Sequence, residues 1–363
     1  MSKAYFSPAQ GGKKSRLERV DRLFEKAGFA DLIDEGDLVA VKVHFGERGN
    51  TAFLSPLYAR RVVDKIKEAG GKPFLTDANT LYAGSRANAV EHLVTAIENG
   101  FSYATVGAPL VIADGLNGHD YIEVEIGGKH FDKVKIGSAI READAVIALT
   151  HVKGHEASGF GGAIKNLGMG SGCRSGKQVM HSDLLPSIDP ETCSACERCA
   201  EWCPAEAITV ASAATIDYEK CLGCAECTVT CPNGAIAINW KSDPGVFQEK
   251  IAEYALGVIK GKEGKVGFMN FVIDVVPDCD CWSWNDAPIV PDIGIVASKD
   301  IVAADQASVD LVNAAEGIKG SRLSDPGAED KFGLLTGVDW TVQLAHAEMM
   351  GLGSRSYELI RVG

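Results

Sequence analysis

The strongest constraint on this chain is a repeat of cysteines. CSACERCAEWCPAEAITV begins at Cys193 and CLGCAECTVTCPNGAIAI begins at Cys221, a period of 28 residues. Each copy reads C-x2-C-x2-C-x3-C-P. A 4Fe–4S cluster needs four thiolates. This tight spacing lets one loop wrap three corners of a cube, while the fourth cysteine serves the other cluster. The motif therefore assigns one cluster to Cys193, Cys196, Cys199 and Cys231, and a second to Cys221, Cys224, Cys227 and Cys203. Pro204 and Pro232 turn the chain after each fourth ligand, and the AITV and AIAI runs that follow supply strands for a small core. Paired C-x2-C motifs also bind zinc, but eight cysteines in two such repeats suit tetrahedral zinc poorly. Two neighbouring clusters would make a path for one-electron transfer.

The segment resembles bacterial two-cluster ferredoxins, without departure in the motif. It interrupts a chain of different character. The 363 residues are 46% hydrophobic and 23% charged, the balance of a globular protein with a sizeable core. The net charge of −13 argues against a nucleic-acid footprint, which needs a clustered basic face. MSKAYFSPAQGGKKSR is polar, and no run of 18 apolar residues occurs, so neither a signal peptide nor a membrane span is expected. Eleven cysteines in such a chain point to metal ligation or redox chemistry in the cytoplasm rather than to disulfides.

Outside the repeat, strand and helix signals alternate. DLVAVKVHF, KPFLTD, APLVIAD, DAVIALT, KVGFMNFVID and DIGIVAS read as strands, and YIEVEIGGKHF reads as a hairpin turned at Gly127 and Gly128. SRLERVDRLFEKAGF, SPLYARRVVDKIKEAGG, RANAVEHLVTAIENGF, FQEKIAEYALGVIK, AADQASVDLVNAA and WTVQLAHAEMMG read as helices. The order predicts an α/β fold with a mostly parallel sheet flanked by helices. The expected division is an α/β domain over 1–185 and 242–363, with a small α+β ferredoxin-like domain inserted at 186–241. The alternative is three domains in series. Insertion is favoured because the C-terminal part has too few strands for a sheet of its own.

Polar residues collect where predicted strands end, and ligands of open parallel sheets bind outside the carboxyl ends of the strands. His44 ends one strand and is followed by Glu47, Arg48, Asn50 and Thr51. Asp77 and Asn79 follow another, His151, Lys153 and His155 a third, and Asp274 a fourth. Each alone is more often a cap or turn residue, but one crevice could hold all of them.

The stretch THVKGHEASGFGGAIKNLGMGSGCRSGKQVMH reads as too polar and flexible for core. Its first half, with Lys165 and Asn166, is expected to wall the crevice. Its second half is expected to be a joint to the cysteine segment. The paired glycines before AIKN could present backbone N–H groups to an anion at a helix start. GCRSGKQ is not a P-loop, and no G-x-G-x-x-G follows a strand. Cys173, Cys279 and Cys281 are left over. Three thiols without a fourth ligand make a weak metal site, although a further metal or cluster there stays open.

At VKVHFGERGNT, FLTDAN, LTHVKGHEASGFGGAIKNLGMG and DCDCWSWNDAPIVPDIGIVASKDIVAADQA, the chain resembles the domain-of-unknown-function family 362, in particular members with a ferredoxin-type insert. The resemblance implies an α/β domain, iron–sulfur clusters and a cytoplasmic redox role, but no agreed reaction. The expectation from the residues is an iron–sulfur oxidoreductase. His151, Asp77 and His44 would serve catalysis, with His151 as proton donor and Asp77 as its orienter. Arg48, Lys153, His155, Lys165 and Asn166 would bind a small anionic ligand. An electron donor or acceptor protein is the expected partner. The alternative is a non-enzymatic carrier or adaptor that docks a redox enzyme. A third reading makes His44, His151 and His155 ligands of an additional metal.

Overall fold

One eight-stranded sheet forms, most of its strands from apolar runs bounded by capping residues, glycine and proline. These strands are β1 (Ser2–Pro8), β2 (Leu38–Val43), β3 (Lys72–Asp77), β4 (Leu110–Ile112), β5 (Ala145–His151), β6 (Val266–Val272), β7 (Gly294–Ser298) and β8 (Tyr357–Arg361). This computed structural model describes residues 1–11, 14–82, 84–182, 185–237 and 242–363.

The sheet order is β8-β1-β7-β6-β5-β2-β3-β4. Strands β6, β5, β2, β3 and β4 are parallel, and β7 runs against both of its neighbours. The fold is therefore α/β with a mostly parallel sheet, as the strand–helix alternation predicts. Strands β1 and β8 carry no continuous apolar run and pair at one edge, so neither is marked in the sequence.

Both faces of the sheet are covered, which explains why the central strands are apolar throughout. Along β5, Ala145, Ile147 and Leu149 face one core with Val62 and Val63. Those two valines lie on helix α2 (Pro56–Glu68), which starts at the Ser55 cap and has Pro56 in its first turn. On the same side, α1 (Arg16–Lys26) opens with a capping box between Ser15 and Glu18. Val146 and Ala148 face the opposite core with Ile164, Leu167, Ile251 and Ala304.

That second core corrects the reading of residues 150–181. Most of the segment is buried, as two helices, α3 (Ala163–Ser171) and α4 (Arg174–His181). Its glycines serve close packing rather than flexibility. A Cβ at Gly168 would stand 2.1 Å from the Ile251 carbonyl oxygen of α5 (Pro244–Ile259), so α3 and α5 meet backbone to backbone.

The hairpin pairs Tyr121–Glu125 with Lys133–Gly137, and Gly127 and Gly128 lie in its connection. In the cysteine-rich segment, Ile208–Val210 pairs with Ala214–Ile216. Of the AIAI run, Ile236 bridges Ile188, while Ile238 lies outside the described residues. Among the described residues, no helix is long and apolar enough to cross a membrane.

Candidate functional site

The two cysteine repeats fold alike. Short helices begin at Arg198 and Glu226, 28 residues apart. Positive φ angles recur at the same offset: Ala195 and Gly223, Glu197 and Ala225, Glu206 and Gly234. Left-handed backbone at alanine and glutamate is unfavourable, so the loop shape is imposed by more than local preference. Two small cavities result. Cys193, Cys196, Cys199 and Cys231 line the first. Cys203, Cys221, Cys224 and Cys227 line the second. Each cavity thus takes three cysteines from one repeat and the fourth from the other. Ala214 N–H donates to Cys193 Sγ at 3.4 Å and Ala207 N–H to Cys203 Sγ at 3.2 Å. Among the described residues, no three His, Cys, Asp or Glu side chains converge closely enough for a single metal ion.

Glu226 fastens this segment to the sheet domain. Its buried carboxylate accepts from Lys135 Nζ at 2.6 Å, Ser175 Oγ at 2.7 Å and the Tyr121 hydroxyl at 3.0 Å. Burial opposes its charge, but His119 and Lys135 outweigh that and bring the carboxyl down to about 2.

The other polar centre lies at the carboxyl ends of β6, β5, β2 and β3, four adjacent strands. The loop after β6 carries Cys279, Asp280 and Cys281. Trp282 N–H closes a turn on the Cys279 carbonyl at 3.1 Å. Asp280 is fully buried, accepts from His151 Nδ1 at 2.8 Å and forms an ion pair with Lys153 Nζ at 3.0 Å. His151 Nε2 meets the Asp274 carbonyl at 2.9 Å. Asp274 itself adopts φ 50°, a conformation that such a residue holds only when its surroundings over-determine it. The two cysteines on either side of Asp280 face other groups. Lys165 Nζ lies 3.6 Å from Cys279 Sγ, and His44 Nε2 lies 3.5 Å from Cys281 Sγ. His44 Nδ1 accepts from Gly46 N–H at 3.0 Å, so the ring proton sits on Nε2 and points at the sulfur.

The electrostatics follow from these contacts. The hydrogen bond from Cys279, and then that from His44, hold Cys281 well below the ordinary thiol range. Cys279 is pushed up by the same bond and by burial. Burial works against the charge of Lys165, yet the Cys279 and Cys281 sulfurs raise its pKa above the ordinary value. Burial, reinforced by Lys165, depresses His155 strongly and takes His181 down to about 3, so both are neutral rings.

Two neighbouring loops hold the Cys279–Cys281 turn. Gly154 N–H donates to Val276 O at 2.9 Å, and a Cβ at Gly154 would stand 2.0 Å from Pro277 O. The FGERGNT loop contributes Glu47 N–H to Asp280 O at 3.2 Å. Asn50 Nδ2 donates to Trp282 O and Trp284 O, both at 3.1 Å.

The site residues expected from the sequence divide accordingly. His44, His151, Lys153 and Lys165 meet around the Cys279–Cys281 turn, and His155 borders Lys165. The carboxylate that faces His151 is Asp280, not Asp77. Asp77 instead pairs with Lys42 at 2.9 Å and Arg86 at 3.5 Å. Burial opposes its charge, but these cations hold it far below the usual range. Both nitrogens of His151 already have acceptors, which suits a positioning residue better than a proton donor. Asn166 fixes Lys42, accepting from its Nζ at 2.8 Å. Arg48 stays outside: its side chain is exposed and paired with Glu98 at 2.7 Å. The glycine-led start of α3 does present N–H groups to an anion, but the anion is internal. Asp305 accepts from Ala163 N at 2.6 Å and Ile164 N at 2.9 Å. The third-metal reading also fails on contacts, since His44, His151 and His155 have separate partners; His155 Nδ1 accepts from Ala157 and Ser158 N–H. Cys173 sits apart from the other two leftover cysteines, capping α4 and hydrogen-bonded to Ser175.

Sequence reasoning missed Lys42, Arg86 and Asp280. Lys42 carried a signal, since a charge inside the strand LVAVKV must be paired when the strand is central. Arg86 and Asp280 carried none beyond lying near other polar residues.

A family model for a domain of unknown function matches residues 39–310, three quarters of the chain and all four strands of the polar centre. The chain belongs to the DUF362 family. The family model spans the cysteine repeats, the stretch from Thr150 to Leu167 and the Cys279–Cys281 turn alike. No curated protein matches this DUF362 chain. Among solved structures, it is similar to the lactate racemase apoprotein from Thermoanaerobacterium thermosaccharolyticum, with 15% identity and a TM-score of 0.43. That match covers 86% of this chain and 58% of the other. A protein from Thermotoga maritima matches at 13% identity and a TM-score of 0.37, covering 72% and 52%. The DUF362 chain thus spans little more than half the length of either structure.

Proposed function

We propose that this DUF362 protein is an iron–sulfur oxidoreductase. Cys193, Cys196, Cys199 and Cys231 would hold one 4Fe–4S cluster, and Cys221, Cys224, Cys227 and Cys203 the other. The observation that carries the reading is the crosswise lining of two small cavities by these two quartets. A cube of four irons keeps its thiolates farther apart than one ion does, in keeping with quartets that surround a cavity without meeting at a point. The backbone N–H groups on Cys193 and Cys203 are the donors such sulfurs take. When bound, the clusters supply one-electron transfer.

The chain's own residues would do the rest in the crevice at β6, β5, β2 and β3. Lys165 and Lys153 supply positive charge for a small anionic ligand. His44 and His155 are neutral rings with their protons on Nε2, His155 because its Nδ1 accepts from backbone. His151 and Asp280 hold Lys153 in place. Such thiol-rich chemistry belongs in a reducing compartment such as the cytoplasm.

The test is anaerobic purification followed by iron and sulfide analysis. About eight irons per chain are expected from two four-iron clusters. Cys227→Ser should remove about half the iron and leave the other cluster's spectrum in place. Zinc in place of iron, or equal iron in both proteins, overturns the reading. A carrier role has one observation in its favour: Trp202, Tyr218 and Leu222 of the cysteine-rich segment are exposed, as a face for an electron donor or acceptor protein would be. Saturable binding of a small carboxylate that Lys165→Met abolishes would favour the enzyme over the carrier.

A further inference from the structure

The lysines of the polar centre differ in what lies beside them. Lys42 has Asp77 at 2.9 Å and Lys153 has Asp280 at 3.0 Å. Lys165, more than nine-tenths buried, has sulfur: Cys279 Sγ at 3.6 Å, with Cys281 the next influence on its charge. An ammonium in that position is hostile to a metal cation and favourable to a thiolate. The turn closed by Trp282 N–H on the Cys279 carbonyl also keeps the two sulfurs in one short loop, two residues apart, and both cysteines are free thiols. Cys281 is partly exposed, whereas Cys279 is buried beneath it. Asp280, pinned by His151 and Lys153, prevents the turn from rotating away.

We propose that Cys279 and Cys281 form a redox-active dithiol that reduces a carboxylate-bearing disulfide. The Cys281 thiolate attacks one sulfur of the substrate, forming a mixed disulfide and expelling the other half as a thiolate. Cys279 then gives its proton to that leaving thiolate and attacks Cys281 Sγ. This closes the Cys279–Cys281 disulfide and releases the second half of the substrate. The substrate gains two electrons, and the protein loses the same two. Two electrons and one proton restore the thiol and thiolate; clusters held by the two cysteine quartets would supply those electrons singly from a low-potential one-electron donor. That restoring half rests on the proposed function; the thiol half stands without it.

The arrangement divides the roles. Cys281 is the attacking sulfur because it is the more exposed of the two and because His44 Nε2–H points at it and stabilises its anion. Cys279 is the resolving sulfur because it is the buried one, out of reach of a substrate disulfide. Lys165 supplies charge to the thiolate and selects an anionic partner. His151 is a positioning residue that acts through Asp280.

The experiment uses the full-length protein, purified anaerobically and with its iron content measured on the same sample. It is treated with oxidised glutathione, an anionic disulfide, or with cystamine, a cationic one. Free thiols are then alkylated and the peptide containing both cysteines is weighed. The expected result with oxidised glutathione is loss of two hydrogens and no alkylation, with both alkylation sites restored by dithiothreitol. Cys279→Ser should trap glutathione on Cys281, and Cys281→Ser should trap none. Lys165→Met should slow trapping of the anionic disulfide about tenfold, the low end of what electrostatic steering adds to an association rate, while Lys165→Arg retains the rate. Cystamine should react more slowly than oxidised glutathione.

Full alkylation of both cysteines after oxidised glutathione overturns the proposal, as does a stable mixed disulfide in the unsubstituted protein. Equal rates for the two disulfides overturn the anionic selectivity. If dithiothreitol restores the thiols but a reduced viologen does not, the link to the clusters fails and the dithiol stands.

Discussion

Replacing Asp280 by asparagine tests the polar centre most directly. The side chain keeps its shape, so no cavity opens, but the charge between His151 and Lys153 disappears. Both partners are nearly buried, and Lys153 Nζ lies 3.0 Å from the lost carboxylate. Removing one member of a buried ion pair costs about 3–5 kcal/mol, because the remaining charge has neither water nor a counter-ion. Unfolding entropy of roughly 2 cal/mol/K per residue converts a loss of about 4 kcal/mol into a fall of about 5 °C in Tm for a chain of this size unfolding as one unit.

The pH dependence carries a sign. Burial opposes ionisation of Asp280, but His151 and Lys153 win and hold its folded pKa below the unfolded value. Its stabilisation is therefore complete above the unfolded pKa, near 4, and is lost as pH falls towards the folded pKa. The substituted protein lacks that acid limb. Urea denaturation at pH 7 and at pH 3.5, followed by tryptophan fluorescence, measures both effects. Lys153→Met in the Asp280→Asn background should recover part of the loss, since it removes the stranded charge. A deficit at pH 7 below about 1 kcal/mol, or a second substitution that only adds to the first, refutes the reasoning.

Two other substitutions probe how the site is held. Gly154→Ala places a Cβ 2.0 Å from the Pro277 carbonyl oxygen, so the loop bearing Cys279 must shift; a loss of about 1–3 kcal/mol is expected in urea titration, with faster alkylation of Cys279 by iodoacetamide. Glu226→Ala leaves the partly buried Lys135 without its carboxylate at 2.6 Å, and the cysteine-rich segment should be cut by trypsin several-fold faster while the sheet and its helices resist.

Much of the fold was legible because its code is local. Runs such as DLVAVKVHF and DAVIALT are apolar on both faces, and only a sheet covered on both sides accommodates that. Strands β1 and β8 were not legible: β8 is an edge strand, where the demand for apolar residues is relaxed, and β1, beside it, carries no continuous apolar run. Residues 150–181 were misread for a related reason. Glycine in a sequence signals freedom of the backbone, yet at Gly154 and Gly168 it marks a backbone passing within contact of a carbonyl.

The sequence by itself determined the grouping of the eight cysteines around two cavities, because ligand spacing in a tight loop is a one-dimensional property. It also determined that His44, Asp77 and His151 lie at one edge of the sheet, because that edge follows from strand direction. Only the tertiary structure decided the partners: Asp280 rather than Asp77 for His151, Lys42 for Asp77, and a pair of thiols for Lys165. The physical reason is that buried charges are matched across strands and loops 35 to 129 residues apart. Such matching depends on which side chains the sheet order makes neighbours.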